Sequence, residues 1–300
     1  MQRKPKSFLL GLIGSGISAS RSPLLHEYEA ARQGLQLVYR LVDLKSLQIP
    51  ISSLGELLRW AENFGFDGFN VTHPYKSAVV PLLTSMSEEA AAFGAANTIV
   101  LRDGSWAGYN TDWFGFAESL RRGLPGVRVR HVAQIGAGGA GAATAYAMLM
   151  LGSTRVGIFD IDCNRSKALA QMLQGKFPTR EVFAAANVEQ AIKGVDGVVL
   201  ATPVGSMNHP GVPFDPALLD CRMWVADVIY TPAETQMLAA ARALGCRTIN
   251  GGGMLVFQAA EAFRLFTGHA ADSSEMMCCF ERQVSQLESR WQTSDDGYIR

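Results

Sequence analysis

The stretch His131–Ala145, H-V-A-Q-I-G-A-G-G-A-G-A-A-T-A, decides the fold. It opens as a short apolar run, breaks into clustered glycines, and continues in small residues that suit a packed helix. Gly136, Gly138 and Gly141 satisfy G-x-G-x-x-G. In that pattern the first glycine makes a tight turn, the second lets the backbone approach a pyrophosphate, and the third lets helix and strand pack closely. The helix N-terminus adds unpaired N–H groups and a positive dipole end. Taken alone the motif is weak, because a structural turn can share it. Here a strand precedes it and a helix follows. A second strand-like run, Val156–Asp160, ends in an acid 24 residues beyond Gly136. About 20 are expected for the carboxylate that bonds a ribose hydroxyl. The segment therefore reads as a dinucleotide site built from Gly136, Ala137, Gly138, Gly139, Ala140 and Asp160. A carboxylate at 160 repels a 2′-phosphate and favours NAD. Arg165 could bind that phosphate and keeps NADP as the alternative. Asp162 is the second acid nearby and reads as a helix cap.

Outward from this segment the chain repeats one rhythm. Further strand-like runs are Phe8–Ile13, Leu37–Asp43, Gly68–Val71, Thr98–Leu101, Gly197–Ala201, Trp224–Val228 and Thr248–Ile249. Helical periodicity lies between them at Ser53–Asn63, Phe114–Arg122, Gly141–Leu151 and Ala233–Leu244. Strands alternating with helices imply βαβ units and a parallel sheet. Ser22–Pro23 reads as an N-cap with proline at the first helical position. Residues 121–130, RRGLPGVRVR, read as a surface link between two α/β units whose charges face solvent. The last ten residues read as a loose tail. No internal repeat is visible.

Three hundred residues make about two domains and can bury a core without staples. Lys+Arg and Asp+Glu are both 27, so there is no basic excess for nucleic acid and no acidic solvating tail. Glycine is 30 of 300 residues, which points to tight turns and close backbone approaches. The five cysteines, Cys163, Cys221, Cys246, Cys278 and Cys279, are odd in number and form no C-x-x-C, so a reducing cytoplasm is expected. Cys278 and Cys279 read as packing residues. Scattered histidines without H-E-x-x-H give no metal site. No apolar run is long enough for a membrane span. The opening MQRKPK-SFLLGLIG imitates a signal peptide, but Phe8–Ile13 reads better as a buried strand entering a Gly/Ser loop.

Polar clusters follow several of the early strands. They are Ser18–Pro23, Asn70–Lys76, Ala95–Thr98 and Asn110–Asp112. In open α/β sheets ligands bind beyond the carboxyl ends of strands. Each cluster alone reads as caps and turns. Together they suit a small polyhydroxylated substrate.

The string of motifs resembles the shikimate dehydrogenase family, in particular its quinate/shikimate dehydrogenase branch. The resemblance rests on S-R-S-P (20–23), N-V-T-H-P-Y-K (70–76), G-A-A-N-T (94–98), N-T-D (110–112), G-A-G-G-A (136–140), A-T-P-V-G (201–205), D-V-I-Y-T-P (227–232) and G-M-L-V-F-Q-A-A (253–260). It runs from about residue 8 to about 285. It implies two α/β domains with a cleft between them. One is a substrate domain, 1–112, completed by C-terminal helices at 255–290; the other is a Rossmann domain, 113–254. It implies Ser20 and Ser22 on a substrate carboxylate with Tyr230 nearby. Thr72, Asn97 and Gln258 would bond ring hydroxyls, and Thr202, Val228 and Gly251 would line the nicotinamide side. Lys76 and Asp112 would be the catalytic pair, with His73 as a turn residue. Burial would favour the neutral amine that a lysine base requires, and a nearby carboxylate would oppose it.

The implied partner is a small cyclic hydroxy-carboxylate, with no nucleic acid and no membrane, on a monomer or homodimer. S-G-I-S-A-S-R-S departs from the N-P-x-x-x-S-x-S of biosynthetic members. Together with Asp160 it points to a catabolic enzyme using NAD. Ser22, where a threonine would suit quinate, leans the reading to shikimate. Quinate and aminoshikimate stay open as substrates. A non-catalytic NAD-binding sensor is the competing class, and the intact Lys76/Asp112 pair speaks against it.

Overall fold

The computed structural model describes residues 7–295. The basic leader at 1–6 and the end of the expected tail, 296–300, lie outside the described residues. In chain order the first elements are β1 (Ser7–Gly14), α1 (Ser22–Arg32), β2 (Gln36–Asp43), α2 (Leu54–Asn63), β3 (Gly68–Val71), β4 (Ser85–Met86), α3 (Glu88–Phe93), β5 (Thr98–Arg102), β6 (Ser105–Tyr109) and α4 (Asp112–Gly123). There follow β7 (His131–Ile135), α5 (Gly139–Met150), β8 (Arg155–Phe159), α6 (Cys163–Lys176), β9 (Glu181–Ala184), α7 (Val188–Ile192), β10 (Gly197–Leu200), β11 (Trp224–Asp227), α8 (Gln236–Ala243), β12 (Arg247–Ile249), α9 (Gly252–Thr267) and α10 (Ser273–Asp295).

The chain divides into two compact units. The first holds Met1–Ser85, Thr98–Gly108 and Ala259–Arg300; the second holds Met86–Asn97 and Tyr109–Gln258. Residues 86–97 and 109–112, read from sequence with the first domain, thus cluster with the second unit. Aromatic packing is one reason: Phe93 meets Tyr146 edge-on at 4.9 Å, and Trp113 meets it at 5.6 Å.

The first sheet has the order β2-β1-β3-β5-β6-β4. β1 pairs in parallel with both β2 and β3, and β5 runs antiparallel to β3. Phe8, Leu10, Leu12 and Ile13 are all buried, as expected of a strand with neighbours on both edges and cover on both faces. Phe8–Ile13 therefore belongs to an interior strand of the sheet. The second sheet is parallel in every pair, in the order β12-β11-β10-β7-β8-β9. This is the Rossmann arrangement, with its strand order reversing between β7 and β10. α5 is apolar nearly all round and buries Ala143, Ala145, Tyr146, Ala147, Met148 and Leu149, so it is a core helix.

Four local expectations need correction. Ser22 is the first helical residue and Arg21 is the cap, with no side-chain capping bond. β4, β6 and β9 were not expected; all are short, and none holds an apolar run of more than three residues. The first half of the expected tail continues α10 to Asp295, since Met276, Cys279 and Phe280 supply a buried helical stripe. On that helix Cys279 packs inward, but Cys278, one position round the helix, is exposed. Among the described residues no helix is long and apolar enough to cross a membrane.

Candidate active site

In the first unit the site begins where β1, β2 and β3 end together. Gly14 closes β1 with no room for a side chain, since a Cβ there would meet Ile17 and lie 2.6 Å from the Thr72 methyl. That close approach lets the Ser15 N–H donate to the His73 carbonyl at 3.2 Å. The Asp43 carboxylate, at the end of β2, accepts from the Gly16 and Ile17 N–H groups at 3.1 Å each. These contacts fix the loop that presents Ser20 and Ser22, whose hydroxyl oxygens lie 3.2 Å apart. The loop after β3 is held by Tyr75 and Val79, both buried, with Lys76 half-buried between them. Tyr75 N–H donates to the Thr72 carbonyl at 2.9 Å. His73 is exposed.

In the second unit a buried polar network gathers Asn97, Asp112 and Gln258. The Asn97 amide donates to Asp112 Oδ1 at 2.9 Å and to Thr111 Oγ1 at 3.0 Å. Its oxygen accepts the Thr111 N–H at 2.8 Å. Thr111 Oγ1 reaches Gln258 Oε1 at 3.4 Å. Asn110 accepts the Asp112 N–H at 3.1 Å and donates to the Ala95 carbonyl at 3.1 Å. Gly115 lets α4 lie against α9, because a Cβ there would meet the Gln258 backbone nitrogen at 2.8 Å.

The glycine loop of the second unit divides its work as the motif requires. Gly136 has φ +99°, and a Cβ on it would strike the Ala201 carbonyl and sit 3.1 Å from the Thr202 methyl. Gly138 and Gly139 have open space where side chains would be, and α5 starts there. A Cβ on Gly141 would overlap the Gly136 carbonyl. The Gln134 amide donates to that carbonyl at 3.0 Å, and Thr144 in turn donates to Gln134 at 2.8 Å. Asp160 directly follows β8, with Oδ2 accepting the Ala137 N–H at 2.7 Å and Oδ1 the Asp162 N–H at 2.9 Å. Asp162 caps α6 through the Asn164 N–H at 3.0 Å. Arg165 is exposed and pairs with Asp162 at 3.4 Å.

Gly251 packs against the Val228 carbonyl with no room for a Cβ, and its N–H donates to Ile229 at 2.9 Å. Thr202 accepts the Val204 N–H at 3.2 Å, and Tyr230 is half-buried in the loop after β11. Burial pushes the Asp227 carboxyl up to about 6, against the opposing bonds it accepts from Ile229 N–H (3.0 Å) and Thr235 Oγ1 (2.9 Å).

The expected dinucleotide residues thus leave one edge of one sheet, the carboxyl ends of β7, β8, β10, β11 and β12. This edge fits a dinucleotide: an open glycine turn, a helix start and an acid at the next strand end. Asp43, Gln134 and Thr144 were missed from sequence, and Thr111 was named only as part of N-T-D, with no role of its own. Of the three missed, Asp43, an acid at a strand end, carried a visible cue. No cluster of three or more metal-ligating side chains occurs among the described residues.

The comparisons agree with this layout. Residues 12–99 match the shikimate dehydrogenase substrate binding domain, and 251–277 match the shikimate 5'-dehydrogenase C-terminal domain. Residues 108–212 match the alanine dehydrogenase/PNT C-terminal domain. A shikimate dehydrogenase (NADP(+)) of Streptomyces avermitilis is 50% identical over 90% of this chain and 94% of its own. A quinate/shikimate dehydrogenase (NAD(+)) of Corynebacterium efficiens is 48% identical over 91% and 98%. The quinate dehydrogenase of Corynebacterium glutamicum, solved in complex with NAD, superposes with a TM-score of 0.88 at 44% identity, covering 92% of this chain and 99% of that one. With similarity of this extent across both units, the chain belongs to the shikimate dehydrogenase family.

Proposed function

We propose that the protein is an NAD-dependent oxidoreductase that interconverts shikimate and 3-dehydroshikimate. The observation that carries the cofactor assignment is the Asp160 carboxylate at the end of β8, bonded to the glycine loop itself. Relatives of nearly equal identity are named for NADP and for NAD, so overall similarity leaves the choice to local chemistry. At this position a fixed negative charge repels a 2′-phosphate and accepts ribose hydroxyls. Arg165 is turned to Asp162, which partly offsets a guanidinium otherwise suited to that phosphate.

Bound NAD supplies the hydride acceptor. The chain's residues do the rest. Ser20 and Ser22 take the substrate carboxylate, with Tyr230 beside it. Thr72, Asn97 and Gln258 take ring hydroxyls. Lys76 accepts the hydroxyl proton as general base, and Asp112 orients the lysine and bonds the substrate. Gly136 to Ala140, Thr202, Val228 and Gly251 hold the cofactor. The test is steady-state formation of reduced cofactor from shikimate and from quinate, each with NAD and NADP. Shikimate with NAD is expected to exceed the NADP reaction in kcat/KM by about 10- to 100-fold, the range for one charged contact. An NADP preference would overturn the Asp160 assignment, and a quinate preference would overturn the substrate.

A further inference from the structure

Behind the two serines of the first unit runs a buried chain of polar groups. Ser22, Tyr39, Asn70 and Thr98 are each less than 7% exposed. The Ser20 hydroxyl donates to Ser22 Oγ at 3.2 Å, and the Ser22 hydroxyl faces the Tyr39 oxygen as a weaker contact that favours the phenolate. Tyr39 donates its own proton to Asn70 Oδ1 at 2.8 Å, and the Asn70 amide donates to Thr98 Oγ1 at 3.0 Å. The donors on both sides of the Ser22–Tyr39 contact point from the serine loop into the sheet, and neighbouring bonds of this kind strengthen one another in a low-dielectric interior.

Tyr39 is the rigid member. Its backbone N–H donates to Glu27 Oε1 at 2.9 Å, and its position on β2 is registered against Leu10 of β1. Its ring stacks on His26 at 4.8 Å, and His26 is backed by Phe263 and Phe266 at about 6 Å. Burial pushes the phenol well above its ordinary range, so it remains an uncharged hydroxyl.

We propose that Tyr39 is a positioning residue for substrate binding, holding the Ser22 hydroxyl where it and Ser20 together meet the carboxylate. The inference rests on the carboxylate assignment of that serine pair. A serine hydroxyl has one proton and two lone pairs. When Ser22 turns its proton to a carboxylate, Tyr39 can rotate its own proton back onto Ser22 Oγ. The heavy atoms stay in place and the donor is polarised toward the anion. A phenol can both accept from and donate to Ser22; a phenyl ring can do neither.

The test is steady-state kinetics with NAD on Tyr39→Phe, Ser22→Ala and the double variant, using shikimate and its methyl ester. The ester keeps the ring hydroxyls and lacks the charge. For Tyr39→Phe the shikimate KM is expected to rise about 3- to 10-fold, the scale of one hydrogen bond, with kcat retained and the ester KM unchanged. In the Ser22→Ala background the same change is expected to add nothing. Equal losses on acid and ester would overturn the proposal by showing a general deformation. So would an unchanged shikimate KM in Tyr39→Phe beside a raised one in Ser22→Ala. An unchanged KM in Ser22→Ala would overturn the carboxylate assignment itself, and the proposal with it. If Tyr39→Phe does not melt like the parent, p-aminophenylalanine at position 39 keeps a donor and acceptor there. It is expected to hold KM near the parental value, and a raised KM specific to the acid would then overturn the proposal.

Discussion

Lys76 sits between two buried anchors, Tyr75 and Val79, so its backbone is fixed while its amine is only half-buried. If it is the general base, Lys76→Ala should lower kcat by about 10²- to 10⁴-fold while shikimate binding persists. Single-turnover rates beside equilibrium binding check this, and near-normal turnover would remove Lys76 from the chemistry. His26, four residues beyond Ser22, makes a separate demand. It is fully buried, and neither ring nitrogen has a hydrogen-bond partner among the described residues. Burial lowers its pKa to about 3 from 6.5. Above pH 6.5 the group adds no pH dependence. As pH falls from 6.5 toward 3 the unfolded chain takes up a proton that the folded one refuses. Stability then falls by about 1.4 kcal/mol per pH unit. His26→Leu should flatten that segment of the profile. Denaturant titrations at a series of pH values measure it, and an unchanged slope would show that other groups set the acid limit.

Elements are placed by absent side chains as much as by present ones. Gly141 lets α5 start directly above the turn at Gly136. Gly141→Ala must push the helix off β7, at about 1–3 kcal/mol of stability, and misalign the N–H groups proposed to receive phosphates. The expected outcome is a lower melting temperature together with weaker NAD binding by calorimetry. A variant that binds NAD normally would show that the loop adapts. The parallel strands could be read from sequence because burial on both faces makes them nearly continuous apolar runs. β6, S-W-A-G-Y, has no such run. Its cue was instead the turn before it, Asp103-Gly104, with φ values of 50° and 76° that match a two-residue hairpin. β9 pairs only with β8 and is four residues long, too short for a period to register. At the site, residues that stand in a named motif could be singled out from the sequence. Thr111 stands in N-T-D, but its partner Gln258 could not be read, because it lies 147 positions away. Gln134 and Thr144 were missed for the same reason: each reads as core until the other is seen beside it.

At the scale of the molecule the two units differ in their response to acid. The first carries His26, which lowers stability as pH falls. The second carries Asp227, whose carboxyl is raised by burial to about 6 from 3.8. A raised carboxyl works in the opposite direction. Its contribution is complete below about pH 4 and is lost as pH climbs through 6, by about 3 kcal/mol in all. Asp227→Asn should therefore remove a fall in stability between pH 4 and 6 while leaving the His26 segment intact. Unfolding followed by hydrogen exchange resolves the units separately, and a parallel loss in both would contradict the assignment. The net neutral charge of the chain hides this opposition, because it arises from two buried groups and not from the surface.

The bond from Asp160 to the Ala137 N–H has an evolutionary consequence. The side chain proposed to choose between cofactors also braces the loop proposed to hold the dinucleotide. A mutation that admits a 2′-phosphate by deleting the carboxylate loosens the loop in the same step. An ancestor changing its preference would pass through an intermediate poor with either nucleotide unless a second change had already restored the brace. Laboratory selection for the opposite cofactor should accordingly recover paired substitutions, one at 160 and one near 137, more often than single ones.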